Sequence, residues 1–516
     1  MKKRKGLFRV IFGRTTFALV ALIIQISILV SCFLFLRHYE IYIYGGFTLL
    51  SAIVVIYVMN KQENPSFKLA WMIPILVFPV FGTLFYLFVE LQIGGKLIQR
   101  RLTEEIGRTR PYLEQDPRVM AKLEKENRSE ANLAEYISDY GGYPAYDKTN
   151  IAYFPIGEKM FEEMKRQLEQ AKEFIFLEYF IVEHGVMWDA ILEILERKVK
   201  ERVEVRFMYD GMCSLVLLPY NYPQEMEARG IRCKMFSPIR PALSTYQNNR
   251  DHRKILVIDG HTAFTGGINL ADEYINAKVR FGHWKDTGIM VKGDAVKSFT
   301  MMFLQMWGIT EKEPEDYSRF LRKEEYFYPP ELEMEGYVIP YGDSLLDNEN
   351  VAERIYMDII YQAKRYVHIM TPYLILDNEM VTALTYAAKR GIETVIIMPH
   401  IPDKLYAYLL ARSYYEELLK AGVVIYEYTP GFVHAKVFSS DDEKAVVGTV
   451  NMDFRSLYLH FECAAYLYKN GAVRDVEYDF QETLKECQAV TMGECRRYPV
   501  LKKIAGRILR LFAPLM

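Results

Sequence analysis

The sequence has 516 residues, 51% of them hydrophobic, and a formal net charge of −2. That length accommodates two or three domains, and the balanced charge excludes the basic surplus by which a general nucleic-acid binder grips a phosphate backbone. Six scattered cysteines without a C-x-x-C pair exclude a zinc ribbon and read as reduced structural thiols, which weakly favours a cytoplasmic main domain.

Lys2, Lys3, Arg4, Lys5, Arg9 and Arg14 open the chain with no acid among them. Three uncharged apolar runs follow, at 15–36, 41–59 and 69–89. Each approaches the about 20 residues that span a bilayer core as a helix. The spacing therefore predicts a membrane region over 1–90 built of N-terminal transmembrane helices, making the protein a multi-pass protein of the cell membrane. A cleaved signal peptide does not fit, because the first run is too long and another follows at once. The basic N-terminus belongs in the cytoplasm by the positive-inside rule, and so do Lys96, Arg100, Arg101, Arg108 and Arg110 after the third run. Three simple crossings cannot satisfy both. Pro74, Pro79 and Gly82 allow the third run to be broken or re-entrant, which leaves the main domain on the cytoplasmic side.

A charged helical connector is expected over 91–140, closed by the turn signal Gly141-Gly142-Tyr143-Pro144. Strand, helix and strand are then predicted at 174–180, 190–201 and 203–209, and again at 366–370, 379–390 and 394–398. The recurrence predicts two α/β repeats, at 141–310 and 338–495. A charged linker over 311–337 contains Pro329-Pro330. The segment 496–516 mixes Arg496, Arg497, Lys502, Lys503, Arg507 and Arg510 with Ile504, Ile508, Leu509, Leu511 and Phe512. That mixture suits an amphipathic helix on anionic membrane lipid.

Each repeat carries the pattern H-x-K-x-x-x-x-D, as His252, Lys254, Asp259 and as His434, Lys436, Asp441. Gly266 and Gly448 stand at one shared offset from the histidines, and Asn269 and Asn451 at another. Two copies of one site suggest two repeats that build one active centre on a pseudo-two-fold axis. The apolar run at 255–258 places each H-x-K on a strand, where residues i and i+2 face one side. One histidine can attack as a nucleophile while the other protonates the leaving oxygen. Two lysines, with Asn269 and Asn451, can hold oxygens on which negative charge develops. Phosphodiester chemistry fits such a site, and no metal or other cofactor is expected because the lysines supply the charge.

The histidines need orienting partners. Glu462 sits among apolar strand residues and is costly there unless paired; Asp286, in His283-Trp284-Lys285-Asp286, is its counterpart at a different spacing. Asp259 and Asp441 read either as members of the catalytic set or as turn residues that brace the motif, since Asp259 precedes Gly260. His261, His283, His368, His400 and His460 read as packed or hydrogen-bonded histidines, with His283 and His460 as pocket linings.

These residues resemble the phospholipase D superfamily, marked by the paired H-x-K-x-x-x-x-D, and within it the bacterial cardiolipin synthases. Asp251 to Asn269 is similar to the family's first site, and Gly448-Thr449-Val450-Asn451 to its second. Gly267 and Thr449 stand where the family commonly has serine, and His460 where it commonly has asparagine. The resemblance implies transfer of a phosphatidyl group between two phosphatidylglycerol molecules, giving cardiolipin and glycerol through a phosphatidyl-histidine. It implies His252, Lys254, Asp259, His434, Lys436 and Asp441 as the catalytic set, with His252 the nucleophile by analogy. The two halves are too alike for the sequence to separate the histidines. A phospholipase D hydrolase, another phosphatidyltransferase, or a non-enzymatic scaffold are the alternative readings, and no oligomeric state is assigned.

Overall fold

The computed structural model describes residues 40–90, 93–238, 249–311, 315–322, 334–344 and 349–515, with the isolated positions 27, 30 and 313. Two mixed sheets are built to one plan. The first contains β1 (Thr149–Phe154), β2 (Phe174–Tyr179), β3 (Glu204–Asp210), β4 (Arg232–Phe236), β5 (Ile255–Ile258), β6 (Thr262–Gly266) and β7 (Gly288–Gly293), in spatial order β1-β7-β6-β5-β2-β3-β4. The second contains β8 (Tyr337–Asp343), β9 (Tyr366–Met370), β10 (Glu393–Pro399), β11 (Val424–Tyr428), β12 (Val437–Ser440), β13 (Lys444–Gly448), β14 (His460–Tyr468) and β15 (Cys487–Ala489). Its order, β8-β14-β13-β12-β9-β10-β11-β15, repeats the first with one edge strand added.

In both sheets three neighbours run parallel, β2-β3-β4 and β9-β10-β11. Helices cross over between these strands, as parallel pairing requires. Helix Val186–Lys200 joins β2 to β3 and helix Asn378–Lys389 joins β9 to β10. The central strands are buried at every position, which is why they read as continuous apolar runs. Helix Val296–Gly308 is buried on almost every residue, and one apolar cluster takes side chains from both sheets. The two repeats thus share a core. The charged connector forms helices Ile93–Thr109, Pro117–Glu126 and Arg128–Tyr136, and the chain ends in helix Val500–Phe512.

The N-terminal membrane prediction needs correction. Among the described residues no helix is long and apolar enough to cross a membrane. The predicted run 15–36 lies outside the described residues apart from two isolated positions. Helix Glu40–Asn60 covers the run 41–59. The run 69–89 is not one helix but two, Pro65–Val77 and Pro79–Glu90. Phe78 precedes a proline, which forces it out of helical geometry, at φ −127° and ψ 71°. Gly82 then lets the second helix close on the first: a β-carbon there would lie 2.2 Å from the Pro74 carbonyl oxygen. Val54, Val58, Ile75 and Tyr86 form the small core of this helical unit.

The unit is anchored to the second repeat. Asn64 Nδ2 donates to the Tyr458 hydroxyl at 2.8 Å and to Asp377 Oδ2 at 2.9 Å. Phe67 meets Phe454 and Tyr458 edge-on, with ring centroids 5.7 and 5.3 Å away.

Candidate active site

His252, Arg253 and Lys254 do not lie on a strand, as their alternation suggested. They occupy the gap between the short strand Arg250–Asp251 and β5, and His434 to Lys436 occupy the equivalent gap between Gly431–Val433 and β12. The reason is a crossover of pairing partners. Arg250–Asp251 of the first repeat pairs with the start of β14 in the second. Gly431–Val433 of the second pairs with His283–Lys285 of the first. Each H-x-K leaves the partner repeat's strand just as it enters its own sheet. The His252 amide donates to the Phe461 carbonyl at 3.0 Å, and the His434 amide to the Lys285 carbonyl at 2.7 Å.

Those carbonyls belong to the residues that precede Glu462 and Asp286. His252 Nδ1 lies 2.9 Å from both Glu462 oxygens, and His434 Nδ1 lies 2.6 Å from Asp286 Oδ2. The expected orienting carboxylates are therefore both present, and each serves the histidine of the other repeat. A carboxylate on Nδ1 fixes the tautomer with hydrogen on that nitrogen, leaving the Nε2 lone pair free. All four groups are buried.

The two supports differ. Glu462 Oε1 accepts the Ser456 hydroxyl at 2.7 Å, and the Thr449 hydroxyl donates to Oε2. Asp286 receives the Thr287 amide at 2.9 Å. A side chain at 267 would displace the Asp286 carboxylate, because a β-carbon there would lie 2.0 Å from Asp286 Oδ1. Gly267 is thus the space that Asp286 fills. Gly266, at φ +149°, and Gly448 permit close strand contact; their β-carbons would meet Gly288 Cα at 2.4 Å and Ala464 Cβ at 2.2 Å.

Lys254 and Lys436 are buried, and each donates to the carbonyl of its own histidine. Lys436 Nζ also lies 2.8 Å from His434 Nδ1. Burial pushes Lys254 down to about 8 and Lys436 to about 7, with neighbouring carboxylates opposing the shift. Burial also lowers His252 well below the usual imidazole range and His434 to about 4, where the charge of Lys436 adds to the effect. Lys254 depresses both histidines and Lys436, so the two half-sites share one field. Four bases with lowered proton affinity make a centre that favours the entry of an anion.

Aromatic rings line the histidines, and sequence reasoning passed over them. Phe180 meets His252 edge-on at 4.8 Å; Tyr274 and Trp284 flank His434 at 5.5 and 5.3 Å. Ser456 was also missed. Trp284 stands two residues before Asp286, as His460 does before Glu462, and that parallel was the available signal.

Three expectations change. Asp259 contacts neither His252 nor His434: its carboxylate accepts the amides of Lys172, Glu173 and Phe174, each at 2.8 Å, and lies 3.9 Å from His261 Nε2. Asp441 does the same for Lys364, Arg365 and Tyr366 at 2.8, 2.9 and 3.1 Å. Both occupy left-handed backbone at the hairpin tips, at φ 50° and 59°. The bracing reading is the one their contacts favour. Asn269 is likewise committed to structure, accepting from the Ile181 amide and donating to the Tyr274 hydroxyl. Asn451 donates to the Ser456 hydroxyl at 3.1 Å, while its Oδ1 lacks a partner. Among the other histidines, His283 contacts the Tyr428 hydroxyl, His368 Glu477, and His400 Glu427.

Known proteins resemble this chain over most of its length. The family described as "Cardiolipin synthase, PLD-like domain" matches residues 164–307 and 356–484, and "Phospholipase_D-nuclease N-terminal" matches 47–90. A protein of Streptococcus mutans without an assigned function is 51% identical over 90% of this chain and 99% of its own. A cardiolipin synthase of Geobacillus sp. is 34% identical over 94% of this chain and 97% of its own. A solved phosphatidylserine synthase of Haemophilus influenzae covers 75% of this chain and 97% of its own, at 13% identity and a TM-score of 0.53. That likeness carries the fold alone.

Proposed function

The chain belongs to the cardiolipin synthase family of phospholipase D-like proteins, and on that premise we propose that it joins two phosphatidylglycerol molecules through a phosphatidyl-histidine on His252. It is a phosphatidyltransferase that forms cardiolipin. One observation carries the mechanism: each histidine is tethered at Nδ1 by the opposite repeat's carboxylate, beside two buried lysines.

His252 Nε2 attacks the phosphorus of the first lipid, forming a P–N bond. The bond from phosphorus to the head-group glycerol oxygen breaks, and His434 gives that oxygen its proton. A glycerol hydroxyl of the second lipid then attacks phosphorus, returns a proton to His434, and displaces His252. Lys254 and Lys436 face the charge that gathers on the non-bridging oxygens. The anionic phosphodiester raises the proton affinity of lysines and His434 that burial has lowered, so substrate entry itself readies the acid. Asp259 and Asp441 hold the hairpins that aim the motif.

The protein is membrane-associated. We place the site at the cytoplasmic face of the cell membrane, with the N-terminal unit inserted and the last helix on the lipid surface. Leu501 is 81% and Leu76 59% exposed, and Val77, Phe78, Ile504 and Ile508 are exposed with them. Lys502 and Arg507 also reach solvent on the last helix. A patch of this kind suits the boundary of an anionic bilayer.

The test is a mass-spectrometric product assay with phosphatidylglycerol as sole lipid, beside His434→Ala. Equal cardiolipin and glycerol from the native chain, and none from the variant, is expected. Phosphatidic acid without cardiolipin would overturn the transferase reading.

A further inference from the structure

We propose that the active site contains an inhibitory transition-metal site, formed by His252, His460 and Glu462, through which an ion of the zinc class switches the nucleophile off. The ligand atoms of these three residues lie within 4.8 Å of one another, and all three are buried. His460 and Glu462 alternate along β14, so their side chains share a face. Glu462 Oε1 is 2.9 Å from His252 Nδ1 and 3.6 Å from His460 Nδ1. Bonds of roughly 2.0–2.1 Å at a tetrahedral zinc set ligand atoms about 3.3 Å apart, between these two distances.

A second observation points to a ligand independently. His460 is 8% exposed; its Nε2 lacks a hydrogen-bond partner, and its Nδ1 has only the Glu462 carboxylate, at 3.6 Å. Leaving buried polar atoms unpaired costs about 1–3 kcal/mol, and the ring stands 5.3 Å from that of His252. Imidazole nitrogens with one carboxylate select zinc, cobalt, nickel or copper over magnesium or calcium, which take oxygen ligands.

The mode of inhibition follows from proton accounting. In the free site the His252 proton is on Nδ1, shared with Glu462, and the lone pair is on Nε2. A metal bound to Nδ1 takes the lone pair there, and the proton moves to Nε2. No proton is lost overall, but Nε2 has become a donor and can no longer attack phosphorus. This step rests on His252 being the nucleophile; binding of the metal does not. The ion is no part of the transfer reaction, whose positive charge the lysines supply.

The test uses the full chain in detergent with phosphatidylglycerol, at buffered free Zn²⁺ and separately at Mg²⁺, comparing the native chain with His460→Asn. Native turnover is expected to fall at least tenfold at micromolar zinc and to recover with chelator. For each protein the readout is the ratio of turnover with zinc to turnover without it, and His460→Asn should need at least tenfold more zinc to reach the same ratio. Bound zinc, measured by elemental mass spectrometry after desalting, should be one per native chain and none on the variant. Equal zinc sensitivity of the two proteins, equal stoichiometry, or stimulation by zinc would each overturn the proposal. Absence of cardiolipin in chelator-treated native protein would instead count against the proposed function, while the stoichiometry would still decide the site.

Discussion

His252 of the first repeat and Glu462 of the second are 210 positions apart in sequence, and Nδ1 of the histidine lies 2.9 Å from both oxygens of the carboxylate. Glu462→Gln keeps the shape but can hold the opposite tautomer, with hydrogen on Nε2. Turnover should fall on the order of 10⁴-fold, the size of the loss when the triad aspartate of a serine protease is made an amide. The melting temperature should change little. A loss of stability with unchanged turnover of the folded fraction would make Glu462 structural.

The roles of the two histidines separate with a lipid whose leaving group needs no proton. With a phosphatidyl nitrophenyl ester, His434→Ala should still release nitrophenol in a burst and leave a phosphatidyl adduct on residue 252. His252→Ala should give neither. Adduct on His434 in the native protein would reverse the assignment.

Asp259 and Asp441 each accept three main-chain amides. Replacing either with alanine removes three amide-to-carboxylate hydrogen bonds, each worth about 1 kcal/mol. We expect a lower melting temperature, by several degrees, with turnover of the folded fraction reduced less than tenfold. A loss as deep as that of His252→Ala would return them to the catalytic set.

The lysines predict a pH dependence. Lys436 and Lys254 are lowered to about 7 and 8 in the substrate-free protein. Below those values both carry charge and attract the phosphodiester; above them the free site loses that charge. kcat/KM should therefore decline as pH rises through about 7 to 8, while kcat in the bound complex declines at higher pH, because the anion raises both groups. Lys436→Arg should move the kcat/KM decline to higher pH. Coincident profiles for kcat and kcat/KM would contradict this.

The N-terminal unit reaches the chemistry through one short helix. Phe67 and Asn64 hold helix Phe454–Tyr458, whose Ser456 donates to Glu462. Phe67→Ala should lower kcat several-fold without weakening sedimentation with vesicles, whereas Leu76→Ser with Val77→Ser should weaken sedimentation and spare kcat in detergent. The opposite pattern would mean that the unit serves only as an anchor.

Local pattern was enough for much of this architecture. Runs such as Tyr366–Met370 are apolar at every position because both faces of a central strand are covered, so the strand is visible without its neighbours. The repeat of His252, Lys254, Asp259, Gly266 and Asn269 at 434–451 marked two halves of one site, because equal offsets in equal folds occupy equal places. What sequence could not decide was which carboxylate serves which histidine. The chain offered Glu462 and Asp286 as orienting carboxylates without assigning either to a histidine. Only the exchange of short strands between the sheets delivers Glu462 to His252 and Asp286 to His434. The same limit applies to Asp259, whose identity as an acid was plain while its task depended on three amides 85 to 87 positions away. Periodicity records which face of an element is buried; it carries no information on what is buried against it, and that is set by the packing of distant segments.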